Sequence, residues 1–331
     1  MPLSFILHRN RRISLIVKDH VIRCVDVKNR DLQSIRLIGE RYLPEGLIRE
    51  GKILDMDTLE IILEECVQEW GIKKSEVQFL VPDSIVIVRK LQIPEDVHDA
   101  EVRGYFYLEI GSSIHLPFDN PVFDYEILGL QNHKKEVLFY AAPEQMVEDY
   151  VELLERTKLK PIAADISSLA IYRLYHHLGA ALAEDHLMCI QFDIQSVNIG
   201  IFNDYKLVFM RHIKMNVDLA GWKRVRQESG EEVLRWSGDN QYLQGEMQNM
   251  VDEISRVMNF YRYSLHQGKE QITRILVTGD HPDLPVIDER LKDVMGVPVD
   301  SFAEDRFVTV KGEPISSRFS EVLGLALKEV P

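Results

Sequence analysis

Two stretches of the sequence repeat one pattern, in which short apolar runs alternate with polar pairs. Apolar and β-branched residues, which favour strands, form the runs Ile13–Val17, Val21–Val27, Leu32–Leu43, Cys189–Ile194, Val197–Phe202 and Lys206–Ile213. Each set of three runs is followed by sequence with helical spacing. We interpret the two sets as an internal repeat. The repeat predicts a two-lobed α/β protein with a cleft between similar halves, where the first turn of each copy can face a shared ligand.

Two further segments have the periodicity of amphipathic helices. The first begins at a capping box formed by Asp57 and Glu60, and Gly71 is suited to end it. The second has the clearest stripe in the chain, which we expect to continue to Gly268: Met247, Met250, Val251, Ile254, Val257, Met258, Tyr261 and Leu265. We interpret its methionines as core residues rather than a peptide groove.

Composition narrows the possible functions. A chain of 331 residues with 45% hydrophobic content can bury the cores of two domains. No apolar run approaches the roughly 18 residues that span a bilayer, so we expect a cytosolic protein. The net charge of -14 argues against nucleic-acid binding. The three cysteines lie far apart, which indicates reduced, buried thiols rather than a disulfide or metal site. The sequence contains no Gly-x-Ser-x-Gly, no His-Glu-x-x-His, no phosphate-binding P-loop and no cysteine with an evident histidine base.

A cationic group stands out against this acidic background. Trp222 is flanked by Lys223, Arg224 and Arg226, in a polar segment covering about 216–241. We interpret these residues as the solvated face of a helix. Recruitment of an acidic partner is the alternative.

Several ordered segments resemble the PilM family of type IV pilus assembly proteins, which belongs to the actin-like ATPase superfamily. The segments that carry the resemblance are Leu43–Gly46, Gly51–Ile53, Ile87–Arg89, Leu91–Pro94, Tyr107–Pro117, Phe123–Leu128, Val137–Ala142, Leu159–Asp165 and Arg318–Leu327. They extend over nearly the whole chain. The resemblance implies a two-lobed actin-like (ribonuclease H-like) α/β fold, with a small inserted subdomain of the FtsA/PilM type in the first lobe.

The resemblance also implies three domains. We expect the first lobe in residues 1–94, completed by a terminal helix in 316–331. The inserted subdomain then occupies 95–160, with the helices Asp99–Ile110 and Glu144–Thr157 and the hairpin Val122–Ala142. The second lobe occupies 161–315 and includes a helical insertion at about 216–268.

In this family, glycine-containing turns approach ATP closely, since glycine has no Cβ and tolerates positive φ. The positions that correspond to the nucleotide site are Lys18, Asp19, Arg23, Asp193, Gln195, Ser196, Glu253, Arg256, Gly279 and Asp280. Lys18 and Gln195 replace turn glycines, Ile16 replaces the first acidic residue, and the loop after the strand Ile272–Val277 keeps only Gly279. Asp193 is the remaining metal ligand if ATP and magnesium bind. We expect Asp280 to cap the next helix.

These substitutions predict a degenerate nucleotide site, without a cofactor, in a protein that is a scaffold rather than an enzyme. The resemblance implies peripheral placement at the inner face of the cytoplasmic membrane, through the short cytoplasmic peptide of a PilN-like inner-membrane protein. Candidates for the peptide groove, which the family places between the insert and the first lobe, are Val86, Val88, Leu91 and Ile93. Other pilus platform components and self-association are further possible contacts. The alternatives are an active ATP-binding or ATP-hydrolysing PilM homologue and an FtsA-like membrane-tethered actin homologue.

Overall fold

A computed structural model describes residues 11–227, 232–304 and 306–330. The chain forms two compact units. The first unit contains the described residues up to Val81, the segment Asp149–Leu174 and the residues from Glu304 onward. The second contains Pro82–Glu148 and Tyr175–Ala303. The three predicted domains divide the chain more finely, and their boundaries stay a prediction.

Six of the described strands follow the predicted apolar runs to within a few residues. In chain order the strands are β1 (Arg12–Val17), β2 (Val21–Val27), β3 (Ile35–Tyr42), β4 (Ile48–Arg49), β5 (Lys52–Ile53), β6 (Glu76–Leu80), β7 (Ile87–Pro94), β8 (Pro121–Gln131), β9 (Lys134–Pro143), β10 (Lys160–Asp165), β11 (Leu187–Phe192), β12 (Ser196–Asn203), β13 (Lys206–Lys214), β14 (Trp222–Arg226), β15 (Glu232–Trp236), β16 (Arg274–Gly279), β17 (Val299–Ser301), β18 (Phe307–Val308) and β19 (Pro314–Ile315).

The helices lie between these strands. They are α1 (Met56–Glu69), α2 (Val102–Glu109), α3 (Glu144–Arg156), α4 (Ser167–His177), α5 (Asn240–Asn259), α6 (Leu284–Val294) and α7 (Ser320–Ala326). A π-helical segment, Phe260–Leu265, continues α5. The cap of α1 differs from the prediction: Asp55, rather than Asp57, accepts a hydrogen bond from the amide of Thr58 at 3.0 Å.

Each unit contains a five-stranded sheet, and the two sheets share one topology. Their strand orders are β3-β2-β1-β6-β10 and β13-β12-β11-β16-β17. In both, three antiparallel strands are followed by two parallel ones. The internal repeat predicted from the apolar runs is therefore present in the fold. The terminal helix α7 is buried along its whole length in the first unit, and Gly324 passes so close to the carbonyl of Ala170 that a Cβ would overlap it.

The predicted inserted hairpin is confirmed as part of a three-stranded sheet with the order β7-β9-β8. Its turn, Asn132-His133, has positive φ at both residues, as tight hairpins require. One face of the sheet packs on α2, where Phe106 is fully buried among other aromatic rings. This small core gives the insert its own apolar centre.

Two predictions for the second unit are wrong in part. Trp222–Arg226 is a strand paired with β15, not a helix face, because Trp222 and Trp236 pack edge to face across the two strands. Residues 228–231 of the predicted insertion lie outside the described residues. The predicted stripe of α5 faces the core up to Tyr261, with Met258 only partly buried, but Leu265 is exposed because the π-helical segment shifts the register of the last turn.

Candidate functional site

The first candidate turn joins β1 to β2 and is as short as a hairpin allows. The amide of Lys18 donates to the carbonyl of Val21 at 2.9 Å, which leaves Asp19 and His20 as the only central residues. The preceding strand is buried from Ile13 to Val17, and Ile16, at the position where the family has an acidic residue, is 1% exposed. No glycine occupies this turn.

The two charged side chains of this turn bind other parts of the first unit. The ammonium of Lys18 lies 2.6 Å from the carboxylate of Glu321 on α7, and both side chains are largely buried. Asp19 accepts the amides of Glu50 and Gly51 at 2.6 and 3.0 Å, where the backbone φ is positive at both residues. Lys18 and Asp19 therefore stabilise the unit by fixing α7 and the β4-β5 turn.

The β4-β5 turn is further fixed by a tyrosine that the sequence analysis did not identify. The hydroxyl of Tyr150 donates to the carbonyl of Gly51 at 2.9 Å. Burial, with a smaller contribution from the Asp19 charge, raises the pKa of Tyr150 well above its usual value. The tyrosine is therefore a neutral donor, and Asp19 is part of a structural network.

Arg23 is also enclosed in the first unit. It is 1% exposed, and its guanidinium donates to the carboxylate of Glu40 at 2.6 Å. Arg318 binds the same carboxylate at 3.0 and 3.1 Å, and both guanidinium groups lie over the ring of Phe319 at 5.7 Å. This arrangement attaches the start of the terminal segment to the sheet. A phosphate would have to compete with Glu40 for Arg23.

The corresponding turn of the second unit joins β11 to β12 and closes in the same way. The amide of Asp193 donates to the carbonyl of Ser196 at 2.9 Å. Ile194 is 1% exposed and belongs to the core. Gln195 donates to the carbonyl of Val217 at 2.9 Å and accepts the amide of Met215 at 2.8 Å. The turn is therefore held by an apolar side chain and by the segment that follows β13.

Asp193 is nearly buried at the end of β11. Its two carboxylate oxygens accept from the side-chain amide of Gln191 at 3.1 and 3.2 Å. Ser196 is the first residue of β12 and pairs with Lys214. Among the described residues, no cluster of three or more His, Cys, Asp or Glu side chains is arranged to hold a metal. The metal role of Asp193 stays a prediction.

The loop after β16 is packed against the end of β11. Gly279 has φ of +130°, and a Cβ there would overlap the carbonyl oxygen of Phe192. The next two amides, of Asp280 and His281, donate to that same carbonyl at 3.0 and 3.1 Å. The glycine is therefore required by the contact between neighbouring strands. The prediction that Asp280 caps the next helix is wrong, because α6 begins at Leu284 and its N-cap is Asp283.

His281 is a buried residue of this loop that the sequence analysis left without a role. Its Nδ1 accepts the amide of Asp283 at 3.1 Å, so the proton is on Nε2, and the ring lies edge to face against Trp222. Burial lowers its pKa to about 4, although Asp283 and Asp280 oppose the shift. A lone histidine in a turn, directly after a buried strand, is the sequence signal for such a residue.

Glu253 and Arg256 lie on the surface of α5 and form an ion pair with each other. Glu253 also lies 3.5 Å from Arg211 of β13. The Arg256 side chain is 70% exposed. In the structure the two residues form an ion pair on the helix surface, and a role in binding adenosine stays a prediction.

The four predicted groove residues do not share a surface. Val88 is opposite Tyr140, whereas Leu91 and Ile93 are opposite Val137 and Lys135, so strand alternation places Val88 on one face and the latter two on the other. Ile93 is 2% exposed and packs in the core of the insert. A surface groove of about 680 Å³ opens at the end of β7; it is lined by Gln92, Ile93, Pro94, Glu95, Asp96, Tyr105, His133 and Lys134.

The repeated sheets and the insert define the class of protein. The fold is the actin-like ATPase fold, as in a Bacteroides thetaiotaomicron protein described as having that fold and unknown function (TM-score 0.51, 12% identity, 99% of this chain and 100% of that one). EutJ, an ethanolamine utilization protein from Carboxydothermus hydrogenoformans, is also similar (TM-score 0.50, 10% identity, 95% and 88%).

The family is narrower than the fold. The model of the type IV pilus assembly protein PilM family matches residues 17–320, and the chain belongs to that family. A solved PilM-PilN type IV pilus biogenesis complex contains a similar chain (TM-score 0.76, 20% identity, 96% of this chain and 98% of that one). No curated protein sequence matches the chain. Among the described residues, no helix is long and apolar enough to cross a membrane.

Proposed function

We propose that this protein is a cytoplasmic, actin-like scaffold of a type IV pilus or competence-pilus machine, and that its nucleotide site is degenerate. The observation that carries the proposal is the use of backbone amides at the end of β16. In the actin-like fold, amides of this loop can meet a nucleotide. Here the amides of Asp280 and His281 both donate to Phe192.

The two first turns support the same conclusion. Each is closed by its own backbone hydrogen bond, and each carries side chains where glycine would leave room for a phosphate. Lys18 is neutralised by Glu321, so it offers little net positive charge to an anion. Each loss of about 1.4 kcal/mol in binding free energy lowers the affinity tenfold. Steric blocks in three loops can therefore add up to a loss of micromolar ATP binding. The residues therefore do not fit a nucleotide well.

The proposed partner is a PilN-like inner-membrane protein, whose cytoplasmic peptide would hold this protein at the membrane. The proposal is supported by the family and by the solved PilM-PilN complex. Strand β7 lies at one edge of its sheet, and Val86, directly before it, and Val88, within it, are half-buried. An edge strand can accept an extended peptide through main-chain hydrogen bonds. We leave the buried Ile93 out of the proposed contact residues.

Calorimetric titration of the nucleotide-free chain with ATP and magnesium tests the degenerate site. We expect no binding heat at high micromolar ATP, with a sharp thermal transition showing that the protein is folded. Micromolar binding that is lost in Asp193→Ala would contradict the proposal. That result would support the alternative, an ATP-binding PilM homologue in which Asp193 is a metal ligand.

Peptide binding tests the partner. The probe is a fluorescent peptide with the cytoplasmic amino-terminal sequence of the PilN-like protein encoded in the same genome. We expect Val88→Arg to weaken binding at least about tenfold, because it adds a charge beside the edge strand. Val122→Arg, on the opposite edge strand β8, is the matched control. Equal binding by both variants would place the peptide elsewhere.

A further inference from the structure

The hairpin formed by β14 and β15 has an unusual pair of like charges. In the strand register, Lys223 lies directly opposite Arg235. Side chains at such positions have their Cβ atoms about 5 Å apart, and two like charges there destabilise a hairpin. A local conflict of this kind, in an otherwise consistent fold, is expected at functional surfaces.

Three cations of this hairpin have no ion pair within the part of the chain that the structure describes. Lys223, Arg224 and Arg235 are exposed, and no described acidic side chain forms an ion pair with them. Arg226 differs, because Glu232 lies opposite it. Lys223 and Arg235 therefore form a pair of cations on one face of the hairpin without an ion pair among the described residues, in a chain whose net charge is -14.

The base of the hairpin is fixed by packing. The rings of Trp222 and Trp236 meet edge to face with centroids 5.3 Å apart. The indole of Trp236 donates to the carbonyl of Asp239 at 3.1 Å, and the amide of Ser237 donates to Gly221 at 2.8 Å. A Cβ on Gly221 would overlap the Trp236 ring. The backbone that carries the cations is therefore held in place before any partner arrives, which lowers the entropy cost of binding.

We propose that this hairpin binds an extended, acidic segment of a partner protein. The face that carries Lys223 and Arg235 continues with Val225 and Val233, so a strand with alternating acidic and apolar side chains is complementary to it. The two-stranded sheet also has strand edges that the described residues leave unpaired. The inference does not depend on the proposed pilus partner.

An anionic membrane is a poorer match for the same cations. The sequence 227–232, which joins the two strands, contains three glutamates. This connecting sequence adds negative charge close along the chain to the cations, which opposes an extended anionic surface more than a short peptide at Lys223 and Arg235. Charge complementarity therefore favours a peptide.

The test uses the full chain and a fluorescent peptide of about twelve residues with alternating Glu and Val. We expect binding that weakens with added salt, and no binding of a Gln and Val peptide of equal length. The variant Lys223→Gln/Arg235→Gln should bind at least about tenfold more weakly. The control Arg306→Gln/Lys311→Gln removes the same charge from exposed positions in the first unit and should bind normally.

Folding is checked in the same variants. Lys223→Glu places an opposite charge beside Arg235, so its Tm should be equal to or higher than that of the wild type while peptide binding is lost. Undiminished peptide binding by Lys223→Gln/Arg235→Gln would overturn the proposal. Binding of the wild type to phosphatidylglycerol vesicles through these two cations, without peptide binding, would overturn it in favour of a lipid surface.

Discussion

The first turns of the two repeats have the same backbone and different chemistry. Each closes through an amide-to-carbonyl bond of 2.9 Å, from Lys18 to Val21 and from Asp193 to Ser196. In the first unit the turn is fixed by ionised side chains. In the second it is fixed by a buried isoleucine and by a glutamine amide. A repeat can therefore keep its topology while its turns are stabilised by unrelated contacts.

The same difference extends to how the loops depend on pH and packing. The second unit adds a glycine contact at the end of β16 and a buried, neutral histidine. The first unit depends on ion pairs to its terminal segment. Single variants in each unit therefore test the contacts that hold the two turns, through their effect on stability and on the hydrogen exchange of the nearby segments.

The largest effect is expected for Gly279→Ala. The new methyl group meets the carbonyl of Phe192, and φ of +130° is unfavourable for alanine. We expect the free energy of unfolding of the second unit to fall by about 3–5 kcal/mol, measured by denaturant titration. Gly245→Ala, in the open interior of α5, is the control and should be neutral or slightly stabilising. Equal stability of both variants would show that the loop relaxes away from Phe192.

A pH effect should follow from His281. Its pKa is about 4 in the folded protein and near 6.5 when unfolded, so the unfolded state binds more protons between these values. Stability is therefore lost as pH falls below 6.5, by about 2 kcal/mol between pH 7.5 and pH 5.

The control for this effect is His281→Asn, which keeps an acceptor for the Asp283 amide and cannot titrate. The difference between the Tm values at pH 7.5 and pH 5 should be smaller in this variant. The neighbouring carboxylates, Asp280 and Asp283, are unchanged in it. The same pH dependence in both proteins would assign the effect to those carboxylates.

In the first unit, Lys18→Met should cost about 2 kcal/mol, because Glu321 then keeps its charge in a buried helix without Lys18. The partial exposure of the lysine limits the loss. In the double variant Lys18→Met/Glu321→Met, most of the stability should return. A double-mutant cycle with no coupling between the two positions would show that the pair does not hold α7.

The smallest effect is expected for Gln195→Ala. The variant loses the hydrogen bond to the carbonyl of Val217, which is worth about 1 kcal/mol. Gln271→Ala, at an exposed position of the same unit, is the control. Faster hydrogen exchange in residues 215–219 should accompany the change. Unchanged exchange there would mean that the backbone bond from Met215 to Gln195 is sufficient.

Much of the fold can be predicted from the sequence, because buried strands leave unbroken apolar runs. β1, β2 and β12 were located closely on this basis. The hairpin at Trp222 could not be predicted in this way. It depends on pairing with Trp236, fourteen residues away, and its cations interrupt the alternation of apolar and polar residues that is typical of a strand. The prediction that Leu265 is buried is wrong for a related reason, because α-helical spacing does not indicate where a π-helical turn begins.

The sequence shows which loop residues of the nucleotide site differ from the family pattern. It does not show which contacts those residues make in the folded protein. The absence of turn glycines is visible in the chain. The bond from Lys18 to Glu321 joins residues at opposite ends of the sequence, and no local pattern specifies it. A single glutamate in the apolar segment Ser320–Ala326 was the one available signal, because a buried charge needs a partner.

The position of α7 has a consequence for synthesis. The helix supplies Glu321 for Lys18 and the carbonyl of Leu325 for the side chain of Gln78, so the first sheet is completed by residues that are synthesised long after its own strands β1 and β6. Chain synthesis proceeds at roughly 5–20 residues per second, so α7 is made many seconds after β1, and the second unit can fold in that interval. The first unit can therefore complete its fold only after the residues of the second unit have been synthesised.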